Sequence, residues 1–156
     1  MITFQKIRWK NFLSTGDQFS EIDFQKNATN LIVGTNGTGK STVLDALTFS
    51  LFNKPFRKIN KSQLVNATNE KDAQVEVEFD INGRQYLVRR CMKPNLFEIE
   101  VDGQKMHKQA DDRAMQKILE ENILKVNYKS FRQIVILGSS AFVPFMQLSG
   151  SNRREV

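Results

Sequence analysis

The segment from Asn30 to Thr42 constrains the fold of this chain more than any other, because three patterns follow one another in it. Residues 31–33 form an apolar run of the kind found in a buried strand. Residues 34–41 match G-x-x-x-x-G-K-[ST] at every fixed position. Residues 43–52 then space their apolar side chains as a helix does. The segment therefore predicts a strand, a phosphate-binding loop and a helix, which is the context that this motif requires.

The motif predicts a nucleoside triphosphate and Mg²⁺ as ligands. Its glycines let successive backbone N–H groups converge on phosphate oxygens, and the N-terminus of the following helix adds its dipole. Lys40 is expected to reach the β- and γ-phosphates, Ser41 to bind Mg²⁺ and Thr42 to donate to the α-phosphate. A glycine-rich turn that matches by chance is the alternative, and it leaves the flanking strand and helix patterns unexplained. The predicted set is Gly34 as loop glycine, Asn36, Gly37, Thr38, Gly39, Lys40, Ser41 and Thr42.

Composition excludes several classes of protein. The chain has 156 residues, one domain's length, and 12 Phe to fill a core. A single cysteine and a single histidine exclude an internal disulfide and a Cys/His metal cluster. No apolar run is long enough to cross a membrane and the N-terminus lacks a signal-peptide plan, so a cytoplasmic protein without a membrane partner is expected. The net charge of +6 suggests a polyanionic partner.

Two antiparallel regions are predicted, one on each side of the motif. Residues 1–9 alternate apolar and polar side chains, and Phe19, Ile22 and Phe24 suggest a second strand that pairs with the first as a hairpin. Further along, two alternating runs flank Asn82-Gly83, a dipeptide typical of a two-residue hairpin turn. A strand over residues 96–101, closed by a turn at Asp102-Gly103, extends this region into an antiparallel meander.

A basic loop follows the predicted motif helix. Residues 53–61 contain a proline, which ends the helix, and the densest group of cations in the chain. Since Lys and Arg neutralise phosphates, we expect this loop to contact the backbone of duplex DNA without sequence preference. A solvated basic loop is the alternative, and Lys6, Arg8 and Lys10 form the next candidate surface. The predicted DNA contacts are Lys54, Arg57, Lys58 and Lys61.

The last part of the chain predicts helices and one buried strand. Residues 110–126 have helical spacing, and residues 128–132 suggest a further helical turn. Residues 134–137 form an apolar run typical of a parallel sheet. Residues 149–152 resemble a helix N-cap, and residues 153–156 the first turn of a helix that continues past the chain.

The acidic half of an ATPase site is missing from this sequence. Hydrolysis needs a carboxylate at the end of an apolar strand to hold Mg²⁺. Residues 134–137 lead into Gly138 and Ser139 instead, and residues 75–80 alternate like a half-exposed strand. Residues 148–152 resemble the L-S-G-G-Q signature of ABC-type ATPases, although a Ser/Gly/Asn helix cap explains their composition fully. We therefore expect the hydrolytic half to come from elsewhere in a longer polypeptide or from another chain.

These motifs resemble the N-terminal half of an SMC-like ABC ATPase head of the SbcC/Rad-fifty type. Residues 7–14 resemble the family's first strand and Asn-Phe turn, residues 34–42 its G-x-N-G-x-G-K-S loop, and residues 44–47 the start of its helix. Residues 49–57 and 131–138 are particularly similar to the ATPase subunits of tailed-phage recombination endonucleases. The resemblance covers the whole chain and implies an α/β P-loop NTPase fold with an antiparallel β meander beside the core.

The resemblance also implies that this chain is part of a larger protein complex. Residues 1–156 would be one lobe, followed after about residue 153 by a coiled coil and then the C-terminal half of the head. ATP and Mg²⁺ would be the cofactors, and the partners would be a second head, an Mre-type nuclease subunit and double-stranded DNA. The chain alone is expected to be inactive as an ATPase. Two positions depart from the family. Leu13 stands where the family often has a basic residue that approaches the nucleotide. Ser139 stands where the family has a glutamine, and it would still hold Mg²⁺ through a water, although more weakly than glutamine.

The main functional hypothesis is an ATPase of DNA double-strand-break repair or recombination whose head closure gates a nuclease. The alternative is a chromosome-organising ATPase of the SMC or RecF/RecN type without a nuclease. A small-molecule P-loop kinase is a third hypothesis, and the meander disfavours it because kinases usually insert helical lids. Cys-x-x-Cys at the apex of the coiled coil would favour the first hypothesis, and a hinge domain there would favour the second.

Overall fold

The computed structural model describes residues 1–107, 111–136, 147 and 149–155. Its largest element is a six-stranded sheet in the order β2-β1-β3-β4-β5-β6. The strands are β1 (Ile2–Lys10), β2 (Ser20–Asp23), β3 (Ala73–Ile81), β4 (Arg84–Met92), β5 (Leu96–Val101) and β6 (Gln104–Lys105). The helices are α1 (Thr42–Phe52), α2 (Asp112–Lys117), its π-helical continuation Ile118–Leu124, α3 (Tyr128–Ile134), α4 (Gly150–Glu155) and a 3₁₀ turn, Lys61–Leu64. In the described part of the chain, no helix is long and apolar enough to span a bilayer.

The antiparallel hairpins confirm the sequence predictions. Strand β1 pairs with β2, and β3, β4 and β5 follow as a meander, every pair antiparallel. Asn82 and Gly83 both have positive φ, 53° and 86°, the combination that a two-residue hairpin turn needs. Asp102 and Gly103 repeat it with 51° and 78°. Local turn chemistry therefore sets the register of the meander.

Helix α1 is enclosed by the protein on nearly all sides. It packs against the inner face of the sheet, where Ile7, Val77 and Val88 are fully buried. On the helix, Phe49 is also fully buried, and its ring lies 5.6 Å from that of Phe12. Burying one such side chain contributes roughly 1.5–3 kcal/mol to stability. The sheet and its apolar face therefore fix the position of α1 and of the loop that precedes it.

A ladder of charges covers part of the outer face of the sheet. The Glu76 side chain is only 2% exposed and lies between Arg8 and Arg89, at 2.5 and 2.6 Å. Burial tends to raise the pKa of Glu76, but the hydrogen bonds from Arg89 and Arg8 prevail and hold its pKa below the usual range. Arg89 continues the ladder to Glu98 at 2.9 Å. These cross-strand pairs join β1, β3, β4 and β5.

Two predicted strands are not formed. Residues 31–33 lie outside the sheet, with Leu31 85% and Val33 77% exposed, because no described strand runs beside them to complete a ladder. The predicted parallel strand that begins at Ile134 is wrong, since Ile134 is the last residue of α3. Asn127 caps this helix by accepting from the Ser130 N–H, and this local capping outweighs the β-branched composition. Leu137, like Ala110 at the start of the predicted helix 110–126, lies outside the described residues.

Candidate phosphate-binding site

The loop before α1 has the backbone that an anion-binding loop needs. Gly37 and Gly39 both have φ of +88°, a conformation that side chains with a Cβ rarely adopt. At Gly34, an added Cβ would lie 2.6 Å from the Thr38 hydroxyl oxygen, so that the Thr38 side chain would have to move. The loop closes further through the Thr38 hydroxyl, which donates to the Thr35 carbonyl at 2.8 Å. The backbone conformation therefore favours glycine at positions 37 and 39.

Lys40 turns back over this loop. Its Nζ donates to the carbonyls of Gly34 and Thr35, both at 2.7 Å. These carbonyls hold the ammonium group at the mouth of the loop, where a phosphate oxygen would meet it. Ser41 is the N-cap residue of α1, and its side chain does not cap the helix. The first residue of α1, Thr42, is buried at 3% exposure.

A cavity of about 580 Å³ opens beside the loop. Its lining includes Asn36, Gly37, Gly39, Lys40, Ser41 and Thr42, so six of the eight predicted nucleotide-binding residues lie around one space. Gly34 and Thr38 shape the loop instead. The other walls come from Leu13, Ser14, Arg57, Gln63, Val65 and Ala67. The N-terminus of α1, the ammonium of Lys40 and the hydroxyl of Ser41 suit a polyphosphate with a divalent cation.

The turn after β1 forms one wall of this cavity and is fastened by asparagines. Asn11, 2% exposed and with φ of 49°, accepts from Asn69 Nδ2 at 2.6 Å and donates to Asp17 at 2.9 Å. Asn66 donates to the Leu13 carbonyl at 2.8 Å. The backbone of Leu13, at the position where the resemblance implies a basic residue, is thus held at the cavity. The sequence missed this wall because the fastening partners lie more than fifty positions away.

Arg57 lies at the cavity and not on an isolated basic loop. The carboxylate of Asp45, fully buried in α1, accepts from the backbone N–H groups of Phe56 and Arg57 at 3.0 and 3.1 Å and from Arg57 Nε at 2.6 Å. The Arg57 side chain remains 46% exposed. Since only Nε is bound by Asp45, the terminal nitrogens of the guanidinium provide further donors. The cavity therefore has a second cation beside Lys40.

The other three predicted DNA contacts have different surroundings. Lys54 Nζ lies 5.2 Å from the centre of the Tyr128 ring. Lys61 Nζ lies 5.9 Å from the Phe49 ring, and burial, aided by Arg90, lowers its pKa. Lys58 is exposed. All three lysines are thus exposed, and the Lys61 ammonium is partly desolvated.

The alternative basic surface on β1 is neutralised by carboxylates. Lys6 lies 3.6 Å from Glu21, and Lys10 lies 3.6 Å from Asp17. Arg8 completes the set through its pair with Glu76.

Ser139, predicted to hold Mg²⁺ through a water, lies outside the described residues. No group of three His, Cys, Asp or Glu residues suited to a metal occurs among those that are described.

Comparison with known proteins agrees with this geometry. The chain is 42% identical over 151 residues to "Exonuclease subunit 2" of Escherichia phage RB69 and 41% identical to its namesake in Enterobacteria phage T4. These matches cover 97% of this chain and 27% of each relative. The "DNA double-strand break repair Rad50 ATPase" of Sulfolobus acidocaldarius is 38% identical over 86 residues, 55% of this chain and 9% of that protein.

Solved structures show the same architecture. One described as "Structural biochemistry of ATP-driven dimerization and DNA stimulated activation of SMC ATPases" matches with a TM-score of 0.65 and 25% identity, over 97% of this chain and 95% of that one. An Smc head domain from Pyrococcus furiosus, bound to the C-terminal domain of ScpA, matches with a TM-score of 0.55 and 27% identity over 77% of this chain and 33% of its own. These likenesses confirm the predicted resemblance to SMC-like ATPase heads and the P-loop, ABC-type fold. The family model described as "AAA domain" matches residues 6–155, and this chain belongs to that family.

Proposed function

We propose that this chain is the ATP-binding half of the head of an ATPase in DNA double-strand-break repair or recombination. The observation that carries the proposal is the cavity in which Lys40, Ser41 and the N-terminus of α1 meet. The names of the phage and archaeal relatives supply the biological setting. Because the chain spans only about a quarter of the phage relatives, the activity of the whole protein is part of the proposal.

ATP·Mg²⁺ is the ligand that fits this cavity. Lys40 would contact the β- and γ-phosphates, Ser41 would bind Mg²⁺, and the loop amides from Asn36 to Thr42 would surround the phosphate chain. Arg57, which also lines the cavity, would add a guanidinium in place of the basic residue that Leu13 replaces. Bound Mg²⁺ would neutralise charge on the phosphates. Ser139 remains a proposed ligand of Mg²⁺ through a water.

The exposed apolar residues support a missing half. Leu31 and Val33 lead directly into the phosphate-binding loop, yet they are largely exposed. An apolar run of this kind is suited to the interior of a sheet. We propose that strands of a C-terminal half cover it, that α4 leads into a coiled coil, and that two such heads sandwich ATP. Opening and closing of this dimer would gate an Mre-type nuclease subunit on DNA.

Complementation tests this proposal. We expect the 156-residue chain alone to hydrolyse ATP at a negligible rate and to regain turnover when the C-terminal half of its protein is added. The reason is that the described residues include no carboxylate placed to hold Mg²⁺ at this cavity. The measurement is ATP hydrolysis, followed as phosphate release, by each half separately and by the two halves together. Robust ATP hydrolysis by the isolated chain would contradict a divided site.

We further propose that exposed cations of the basic loop bind the DNA backbone. Lys54 and Lys58 are the stronger candidates, since Arg57 is paired with Asp45 and the Lys61 ammonium is partly desolvated. Replacing both Lys54 and Lys58 with Ala should weaken binding to every duplex alike and lower the salt slope by roughly one unit for each phosphate that is no longer neutralised. The measurement is a salt titration of the assembled head with duplex DNA.

The matched control for this titration is the Lys6→Ala, Lys10→Ala variant. It also removes two lysines, but both are paired with carboxylates in the structure. Its salt slope should remain close to that of the unmodified protein. Equal slopes for all three proteins would place the DNA surface elsewhere.

A chromosome-organising ATPase is the second candidate function, because the Smc head of Pyrococcus furiosus shares the fold with a TM-score of 0.55. The sequence relatives favour repair, since the phage proteins are named as exonuclease subunits. The full-length protein should be purified and tested for a nuclease that copurifies with it. A copurifying nuclease favours the repair function, and its absence favours the chromosome-organising function.

A further inference from the structure

We propose that Tyr128 and Arg132 of α3 are positioning residues that hold Arg57 at the phosphate-binding cavity. This inference rests on the proposed function, because it assumes that the cavity binds a nucleotide. It adds a role for a helix that contributes no side chain to the lining of that cavity.

The segment that carries Arg57 is short and is held from two sides. On one side, Asp45 of α1 binds the backbone of Phe56 and both the backbone and the side chain of Arg57. On the other side, the Tyr128 hydroxyl donates to the Pro55 carbonyl at 2.6 Å. The bond from α3 fixes the residue two positions before Arg57.

Arg132 adds a second interaction from the same helix. Tyr128 and Arg132 are four positions apart and therefore share one face of α3. The guanidinium carbon of Arg132 lies 5.0 Å from the centre of the Phe56 ring and 5.5 Å from that of Tyr128. Phe56 itself is 7% exposed. The ring next to Arg57 in sequence is thus packed between the core and a cation of α3.

Helix α3 is anchored well enough to serve as this support. Phe131 is 1% exposed, and its ring lies 5.0 Å from that of Phe52 at the end of α1. The Phe52 ring also lies 5.7 Å from that of Tyr128. Because both helices share this aromatic cluster, α1 and α3 together hold the segment of residues 55–57. A change in α3 would therefore reach the cavity through Pro55, Phe56 and Arg57.

A double-mutant cycle tests this role in the full-length protein that contains the chain. Tyr128→Phe removes only the hydroxyl, and we expect roughly fivefold weaker binding of fluorescent ATP, the effect of removing one hydrogen bond. In an Arg57→Ala background the same substitution should change affinity less than about twofold, since there is no guanidinium left to position. Tyr86→Phe, at the chain's other tyrosine, whose ring stacks on Phe79, is the matched control and should bind ATP like the unmodified protein.

The outcomes separate this inference from the function on which it rests. If the unmodified protein binds ATP, Lys40→Ala does not, and Tyr128→Phe binds normally, then the positioning role is wrong and the proposed function stands. An equal decrease from Tyr128→Phe with and without Arg57 would also overturn positioning, because it would show general destabilisation. Absence of ATP binding by the unmodified protein would overturn both. Arg132→Lys should show the same dependence on Arg57, as it keeps the charge but loses the planar group.

Discussion

Replacing Lys40 with alanine should weaken ATP binding by roughly a hundredfold or more in the full-length protein. Lys40 Nζ sits 2.7 Å from two loop carbonyls, at the mouth of the loop, and would exchange these for phosphate oxygens. Hydrogen bonds to charged groups contribute about 1.5–3 kcal/mol each, so losing two of them costs about 3 kcal/mol or more. Calorimetric titration with ATP·Mg²⁺ measures the decrease in affinity directly.

The control for this substitution is Lys26→Ala. Lys26 is an exposed lysine of the connection that precedes the phosphate-binding loop. It has the same charge and lies only fourteen positions earlier in the chain. Its replacement should leave affinity within about twofold. Circular dichroism should show that both variants fold. If the Lys40 variant bound ATP as tightly as the control, the motif would not be part of the nucleotide site.

Asp45→Ala should lower the free energy of unfolding by about 3 kcal/mol. The substitution leaves two backbone N–H groups without their acceptor and the Arg57 guanidinium without its partner. Breaking a buried ion pair costs about 3–5 kcal/mol. The expected value is at the lower end, because Arg57 is 46% exposed and water can solvate it. For a domain of this size the melting temperature should fall by roughly 6–12 °C.

Two comparison variants serve as controls for the Asp45→Ala prediction. Asp45→Asn keeps an oxygen for the backbone N–H groups but loses the charge, so we expect about half of the destabilisation. Glu21→Ala removes a carboxylate that is 45% exposed and 3.6 Å from Lys6, and it should change stability by less than about 1 kcal/mol. Thermal melts of the three variants rank them, and an Asp45→Ala protein as stable as Glu21→Ala would contradict the role of this carboxylate.

The sequence by itself determined the features that depend on a few neighbouring residues. The positive φ angles of Gly37, Gly39 and the Asn82-Gly83 turn follow from residue type, and they place the loop and the meander. The proposed nucleotide-binding residues follow in the same way, since the motif encodes backbone geometry and charge within one short segment. Conversely, the apolar composition of residues 134–137 was misleading, because strand and helix compete for such a run until capping and packing decide.

Only the tertiary structure decided which polar groups are buried and what they hold. Asp45, Thr48 and Ser50 are polar residues of α1, yet all three are fully buried. Arg90, 4% exposed, donates to the Ser50 carbonyl at 3.1 Å, and burial lowers its pKa to about 10.

The position of Arg57 follows the same rule, since this residue of the predicted basic loop lines the candidate phosphate-binding cavity. The physical reason is that burial and ion pairing depend on segments brought together from distant parts of the chain. Ser50 and Arg90 are forty positions apart, and Pro55 and Tyr128 seventy-three. No local pattern encodes such interactions.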